Sequence, residues 1–162
     1  DPLQPSTDIG PIARKDLQLN LHRQVEDTVA AGAKCLLGGE LPDTDGFFYP
    51  VTLLTEVTPT MCAFREETFG PIMAVIKAED HEHALEMAND TEYGLGASIW
   101  TRNAELASHL AMQLQSGQVA INGIVKTDPR LPSGGIKGSG YGRELGPHGI
   151  HEFVNAKQIW IR

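Results

Sequence analysis

Between Ile72 and Ile121 the chain alternates short apolar runs with helical stripes: IMAVI (72–76), DHEHALEMAND, ASIW (97–100), AELASHLAMQL and QVAI (118–121). Strand–helix–strand–helix–strand in this order favours parallel pairing with right-handed crossovers, and so an α/β fold with a mostly parallel sheet and flanking helices. IMAVI lacks alternation, as a strand buried on both faces should. Asp80 opens the first helix with an acidic first turn that suits the helix dipole, and Ala84, Leu85 and Ala88 share one face. Asn103 is an N-cap residue for the second helix.

The flanks are less regular. Residues 1–14, with Pro2, Pro5, Gly10 and Pro11, read as an extended lead-in. Leu17, Leu21, Val25 and Val29 recur every fourth residue and predict an amphipathic helix from Lys15 to about Ala33, stopped at Gly32. CLL (35–37) reads as a short buried strand ended by Gly38-Gly39, and FFYPVTLLTEV (47–57) as another, with Pro50 marking an edge or a bend. Eight glycines and three prolines crowd residues 122–149, a loop long enough to be functional or disordered. HEFVNAKQIWIR then alternates apolar and polar residues over a final strand, which can add to a sheet edge, a partner's included.

Composition excludes some function classes. A chain of 162 residues fits one domain, and 41% hydrophobic with 21% charged residues is ordinary globular usage. The formal charge of −8 argues against a general nucleic-acid binder. No run of 18 apolar residues exists to span a membrane. Two cysteines without CxxC spacing fit a reducing compartment such as the cytoplasm. Asp1-Pro2, with no methionine, is expected of a piece of a longer chain.

Few residues are placed for chemistry. His81 and His83 point to different faces of a helix, and neither that pair nor His148 with His151 has a third ligand at a diagnostic spacing, so no metal site is expected. GSGYGRELG does not have the spacing of a dinucleotide-binding fingerprint and reads as a turn-rich loop. Cys62 is a tempting nucleophile, but the nearby Glu66 and Glu67 disfavour its thiolate. REETFGP (65–71) leaves two readings open. Either the acids hold a turn and Phe69 is core, or Glu67 and Phe69, two apart in an extended segment, present an acid and an aromatic ring to a nucleoside. Four of the thirteen basic residues, Lys126, Arg130, Lys137 and Arg143, surround Thr127. They either face an anionic substrate or keep a loop solvated.

REETFGP, NDTEYGLGASIWT, GQVAIN and LPSGGIKGSGYGRELGPHGI occur in the order found in the aldehyde dehydrogenase superfamily. The chain resembles the C-terminal part of that superfamily over essentially all its length. TDPRLPSGGIKGSGYGRELGPHGIHEF is most similar to the succinate-semialdehyde dehydrogenase-like branch. The resemblance implies NAD(P)-dependent oxidation of an aldehyde, a semialdehyde in that branch, to a carboxylic acid. It implies that Glu67 binds the hydroxyls of the nicotinamide ribose and Phe69 lies beside the nicotinamide, with Glu66 serving the turn. It places Thr127 near a substrate carboxylate and the 122–133 region near the aldehyde. Ser133 stands in PSGG where the family usually reads PFGG, which removes an aromatic wall there.

The resemblance also assigns residues 1–152 to part of the catalytic domain and 153–162 to an oligomerisation strand of a homo-oligomer, dimer or tetramer. No residue matches the family's nucleophilic cysteine or general-base glutamate, so the catalytic set within the chain is expected to be empty and the isolated chain inactive. The alternative is a truncated, non-catalytic relative that serves as a binding or assembly module.

Overall fold

The computed structural model describes residues 1–162, which form two compact units, Asp1–Glu79 and Asp80–Arg162. The first contains helix α1 (Lys15–Ala30), strands β1 (Lys34–Leu37) and β2 (Thr52–Thr55), the short helix α2 (Cys62–Arg65) and strand β3 (Ile72–Ala74). The second contains α3 (His81–Asn89), β4 (Tyr93–Gly94), β5 (Gly96–Ile99), α4 (Ala104–Gln113), β6 (Gln118–Ile121), β7 (Ile136–Lys137) and α5 (Gly146–His151). No helix is long and apolar enough to cross a membrane.

In the first unit the strands run in the order β1-β2-β3, with β1 antiparallel and β3 parallel to β2. The parallel connection passes through α2, which is too short to show a helical period in sequence. Leu21, Val25, Ala33, Tyr49, Leu54, Val57 and Met61 form the core, and Ile72 and Ala74 pack on it. Neither β1 nor β3 is buried on both faces, as the sequence led us to expect. Every β1 residue is exposed, and Met73 of β3 is 64% exposed between half-buried neighbours. Leu37, Leu53 and Met73 stand in register across the sheet, on the face opposite Leu54. One helix layer covers one face, so the strand behaves as half-buried despite its apolar run.

The buried stripe of α1 also differs from the spacing-by-four stripe. Its buried residues are Gln18, Leu21, Gln24, Val25 and Thr28, whereas Val29 is exposed. Three of these five are polar, and each makes at least one hydrogen bond in place of lost water, although the buried Gln24 Oε1 accepts none. Gln18 Nε2 donates to the Phe48 carbonyl at 2.7 Å, and the Thr28 hydroxyl donates to the Gln24 carbonyl at 2.6 Å.

In the second unit β5 and β6 pair in parallel around α4, as expected, and β4 pairs antiparallel with β7. The single parallel sheet expected for 72–121 is therefore absent: β3 and β5 belong to separate sheets, and the strands form three sheets in all. Asp80 and Asn103 act as N-caps, their side-chain oxygens accepting from the amides of His83 at 2.8 Å and Leu106 at 3.0 Å. Helix α3 buries none of its residues, and Ala84 and Ala88 are exposed rather than a packed face. Asn89 ties the end of α3 to the end of α4, its amide donating to the Gln113 carbonyl and its oxygen accepting from the Gln115 amide.

The 122–149 loop is ordered by backbone bonds of its own and by the pairing of β7 with β4. Ser133 and Glu144 exchange two hydrogen bonds of 2.8 Å, and a Cβ at Gly117 would overlap the Gly134 carbonyl. Beyond α5, residues 155–162 have no regular structure, and the terminal strand expected from alternation does not form within one chain. A strand needs a neighbour for its amides and carbonyls. Here none pairs with it, and Ile159, Trp160 and Ile161 are all exposed.

Candidate functional site

The REETFGP segment runs along the polar edge of α1. Thr28 Oγ1 accepts from the Ala63 amide at 3.0 Å, which caps the start of α2. One turn earlier, Gln24 Nε2 donates to Glu66 Oε2 at 3.0 Å and to the Glu67 carbonyl at 3.1 Å. At Leu21 the packing is so close that a Cβ on Gly70 would overlap its side chain. Thr28, Gln24 and Leu21 thus hold residues 63, 66–67 and 70 in turn, with the segment antiparallel to the helix.

This arrangement gives the two acids different tasks. Glu66 is held by Gln24 and by Arg23, whose Nη2 lies 2.7 Å from Oε2 while its Nη1 reaches Asp27 at 2.6 Å. The Gln24 amide first, then the Arg23 guanidinium and the Cys62 thiol, keep the Glu66 carboxyl below the usual range. The Glu67 carboxylate makes no hydrogen bond or ion pair, and its backbone carbonyl is the atom that is held. Phe69, two residues on, is 76% exposed, so it is not a core residue. Its ring lines a groove of about 510 Å³ together with Ile9, Pro11, Ile12, Leu17 and Pro71. A carboxylate without a partner and an uncovered ring beside an apolar groove fit the ribose hydroxyls and flat ring of a nucleoside.

Cys62 is not set up as a thiolate. Burial pushes the Cys62 thiol up, and the hydrogen bond to Glu66 adds to it. The acidic neighbour acts in the direction anticipated from sequence, but burial contributes more. Cys35 Sγ lies 3.3 Å from the Leu37 carbonyl at the exposed end of β1.

In the second unit, Ser133 lines a cavity of about 360 Å³ with Lys126, Asp128, Ile124 and Leu131. Thr127 is exposed and lies outside that lining. The four cations around Thr127 do not converge on a ligand. Arg130 forms a paired contact with Asp128, at 2.9 and 2.6 Å. Lys137 Nζ donates to the Asn89 and Thr91 carbonyls at 2.7 and 3.1 Å. Arg143 Nη1 donates to the Gly135 and Gly142 carbonyls at 2.8 and 2.6 Å. Lys126 is the member of the group whose ammonium has no partner. Asn122 is likewise committed: its amide exchanges two 2.9 Å hydrogen bonds with the Thr101 backbone across the ends of β5 and β6.

The model of the Aldehyde dehydrogenase family matches residues 1–159. The chain belongs to that family. An NAD(P)+ succinate semialdehyde dehydrogenase of Escherichia coli is 51% identical over 160 residues, 99% of this chain and 35% of that protein. The NADP(+) succinate-semialdehyde dehydrogenase of Mycobacterium leprae is 45% identical over 161 residues, with the same 99% and 35% shares. Among solved structures, succinic semialdehyde dehydrogenase from Streptococcus pyogenes in complex with NADP+ superposes with a TM-score of 0.94 at 37% identity, over 99% of this chain and 35% of that one. A Mycobacterium tuberculosis aldehyde dehydrogenase complexed with NAD+ superposes with a TM-score of 0.87 at 34% identity, over 93% and 31%. The chain therefore spans about a third of the length of these family members, 31–35%.

Sequence reasoning missed Arg23 and Gln24. The available signal was a glutamine three residues after Leu21, on the helical face that must be buried.

The lowered Glu66 carboxyl makes acid stability a test of its contacts. A carboxyl whose folded-state value is depressed stabilises the protein above the ordinary glutamate value, about 4.3. That contribution is lost as pH falls through the folded-state value. Denaturant unfolding from neutral pH to about pH 3 should show the stability gap between the native chain and Glu66→Gln closing as pH falls. A gap that stays constant would count against these contacts.

Proposed function

We propose that residues 1–162 are the C-terminal part of the catalytic domain of an NAD(P)-dependent enzyme that oxidises succinate semialdehyde, or a similar semialdehyde, to the acid. The observation that carries this reading is the unpartnered Glu67 carboxylate beside the uncovered Phe69 ring, in a chain that belongs to the aldehyde dehydrogenase family. Glu67 accepts hydrogen bonds from the two ribose hydroxyls, and Phe69 packs beside the nicotinamide. The dinucleotide supplies the hydride acceptor when bound. Cys62 and Cys35 take no part as nucleophile; the thiolate and the water-activating base belong to other parts of such an enzyme, and the 162 residues by themselves are inactive.

Joining residues 1–162 to the N-terminal part of the E. coli relative gives a protein in which the reading can be measured. Glu67→Gln removes charge-assisted hydrogen bonds of about 1.5–3 kcal/mol, so the NADP Kd should rise about ten- to hundredfold with little change in Tm. Weaker binding from Glu66→Gln with none from Glu67→Gln would reverse the two assignments.

On the substrate side, Thr127 and Ser133 offer hydroxyls and Lys126 a charge to the far carboxylate. That uncommitted ammonium replaces the four-cation cluster as the basis for an anionic substrate. A semialdehyde with a terminal carboxylate should have a higher kcat/KM than a neutral aldehyde of equal length, and Lys126→Met should narrow the difference. Equal values in the native protein would sink the substrate assignment.

Residues 153–162 pair with another copy of the chain in a dimer or tetramer. Supporting this are the unpaired backbone and the exposed Ile159, Trp160 and Ile161. A cavity of about 850 Å³ beside them, lined by Leu145, Pro147, Ile150, Phe153 and Val154, extends the apolar surface. Deleting 156–162 should lower the mass measured by light scattering, and an unchanged mass would rule out the pairing role.

A further inference from the structure

We infer that Gln24 is a positioning residue, whose buried side-chain amide sets the direction in which Glu67 presents its carboxylate to a dinucleotide. This rests on the reading of Glu67 as the ribose ligand. Gln24 is 2% exposed, and its Nε2 donates at once to Glu66 Oε2, 3.0 Å away, and to the Glu67 carbonyl, 3.1 Å away. Its Oε1 is buried and accepts no hydrogen bond, so the amide is oriented by its two acceptors and by nothing on its other side.

Holding the Glu67 carbonyl fixes the peptide plane between Glu67 and Thr68, and with it the chain direction leading to Phe69. Glu66 is the second anchor, and Arg23 steadies it at 2.7 Å. Glu67's own carboxylate is left unbound while its backbone is held. That division of labour suits a ligand that must meet a preplaced acceptor.

The informative variant is Gln24→Met, which keeps the side chain's length and approximate volume but cannot donate. In the 162-residue chain, amide exchange at Glu66 and Gly70 should quicken while the amides of α1 before residue 24 keep their protection. In the joined protein, the NADP Kd, read by fluorescence titration in the absence of aldehyde, should rise about tenfold, the scale of one misplaced charge-assisted hydrogen bond. The decisive measurement is the double variant. If Gln24 acts through Glu67, Gln24→Met adds little to the Kd of Glu67→Gln.

Gln24→Lys keeps a donor facing Glu66 and should restore part of the affinity. It also serves as the second variant if Gln24→Met is too unstable to titrate, in which case full loss of binding in a folded Gln24→Lys overturns the proposal. A Kd unchanged by Gln24→Met, with Glu67→Gln still weakening binding, overturns the positioning role alone. So does a double variant in which the two effects simply add. Glu67→Gln without effect overturns the ribose reading and this inference together.

Discussion

Burying an amide or a hydroxyl among leucine and valine is unfavourable by about 1–3 kcal/mol unless it finds a partner. In the first unit Gln18, the Gln24 Nε2 and Thr28 on the polar edge of α1 meet that condition with partners far along the chain. Gln18 reaches the backbone before β2, while Gln24 and Thr28 reach the 63–67 segment. The same helix covers the inner face of the sheet with Leu21 and Val25. The segment carrying Glu67 and Phe69 is thus placed by the element that closes the core. Contacts from α1 and local backbone bonds such as Gly70 N–H to the Thr68 carbonyl fix its shape together.

The electrostatics of that edge separate two adjacent carboxylates. Glu66 is bonded to Gln24 and Arg23, contacts that favour its ionised form. Glu67 is bonded to the helix through its backbone carbonyl, and its side chain has no partner. The committed acid also bears on Cys62, where burial and the Glu66 hydrogen bond both favour the thiol. One network therefore anchors the segment and leaves one acid uncommitted.

A different economy governs the glycine-rich loop of the second unit. Backbone carbonyls in turns lack ladder partners, and Lys137 and Arg143 supply donors to four of them. Arg130 is neutralised by Asp128. A concentration of positive charge in sequence is here mostly internal scaffolding, and Lys126 is the one of the four left without a partner.

Local pattern determined much of this protein. Helices α1, α3 and α4, the start of α3 at Asp80, the N-cap Asn103, and the approximate places of β1, β2, β3, β5 and β6 were legible, because period and capping are properties of neighbouring residues. The acid–aromatic spacing of Glu67 and Phe69 was legible for the same reason. Tertiary structure alone decided which stripe of α1 is buried, that β3 and β5 belong to separate sheets, and that β1 and β3 leave a face uncovered. It also decided which loop cations are already bonded and which atoms of Gln24 and Glu67 meet. The reason is distance along the chain: the residues that grip one another at this edge lie 42 and 43 positions apart, and no sequence period connects them.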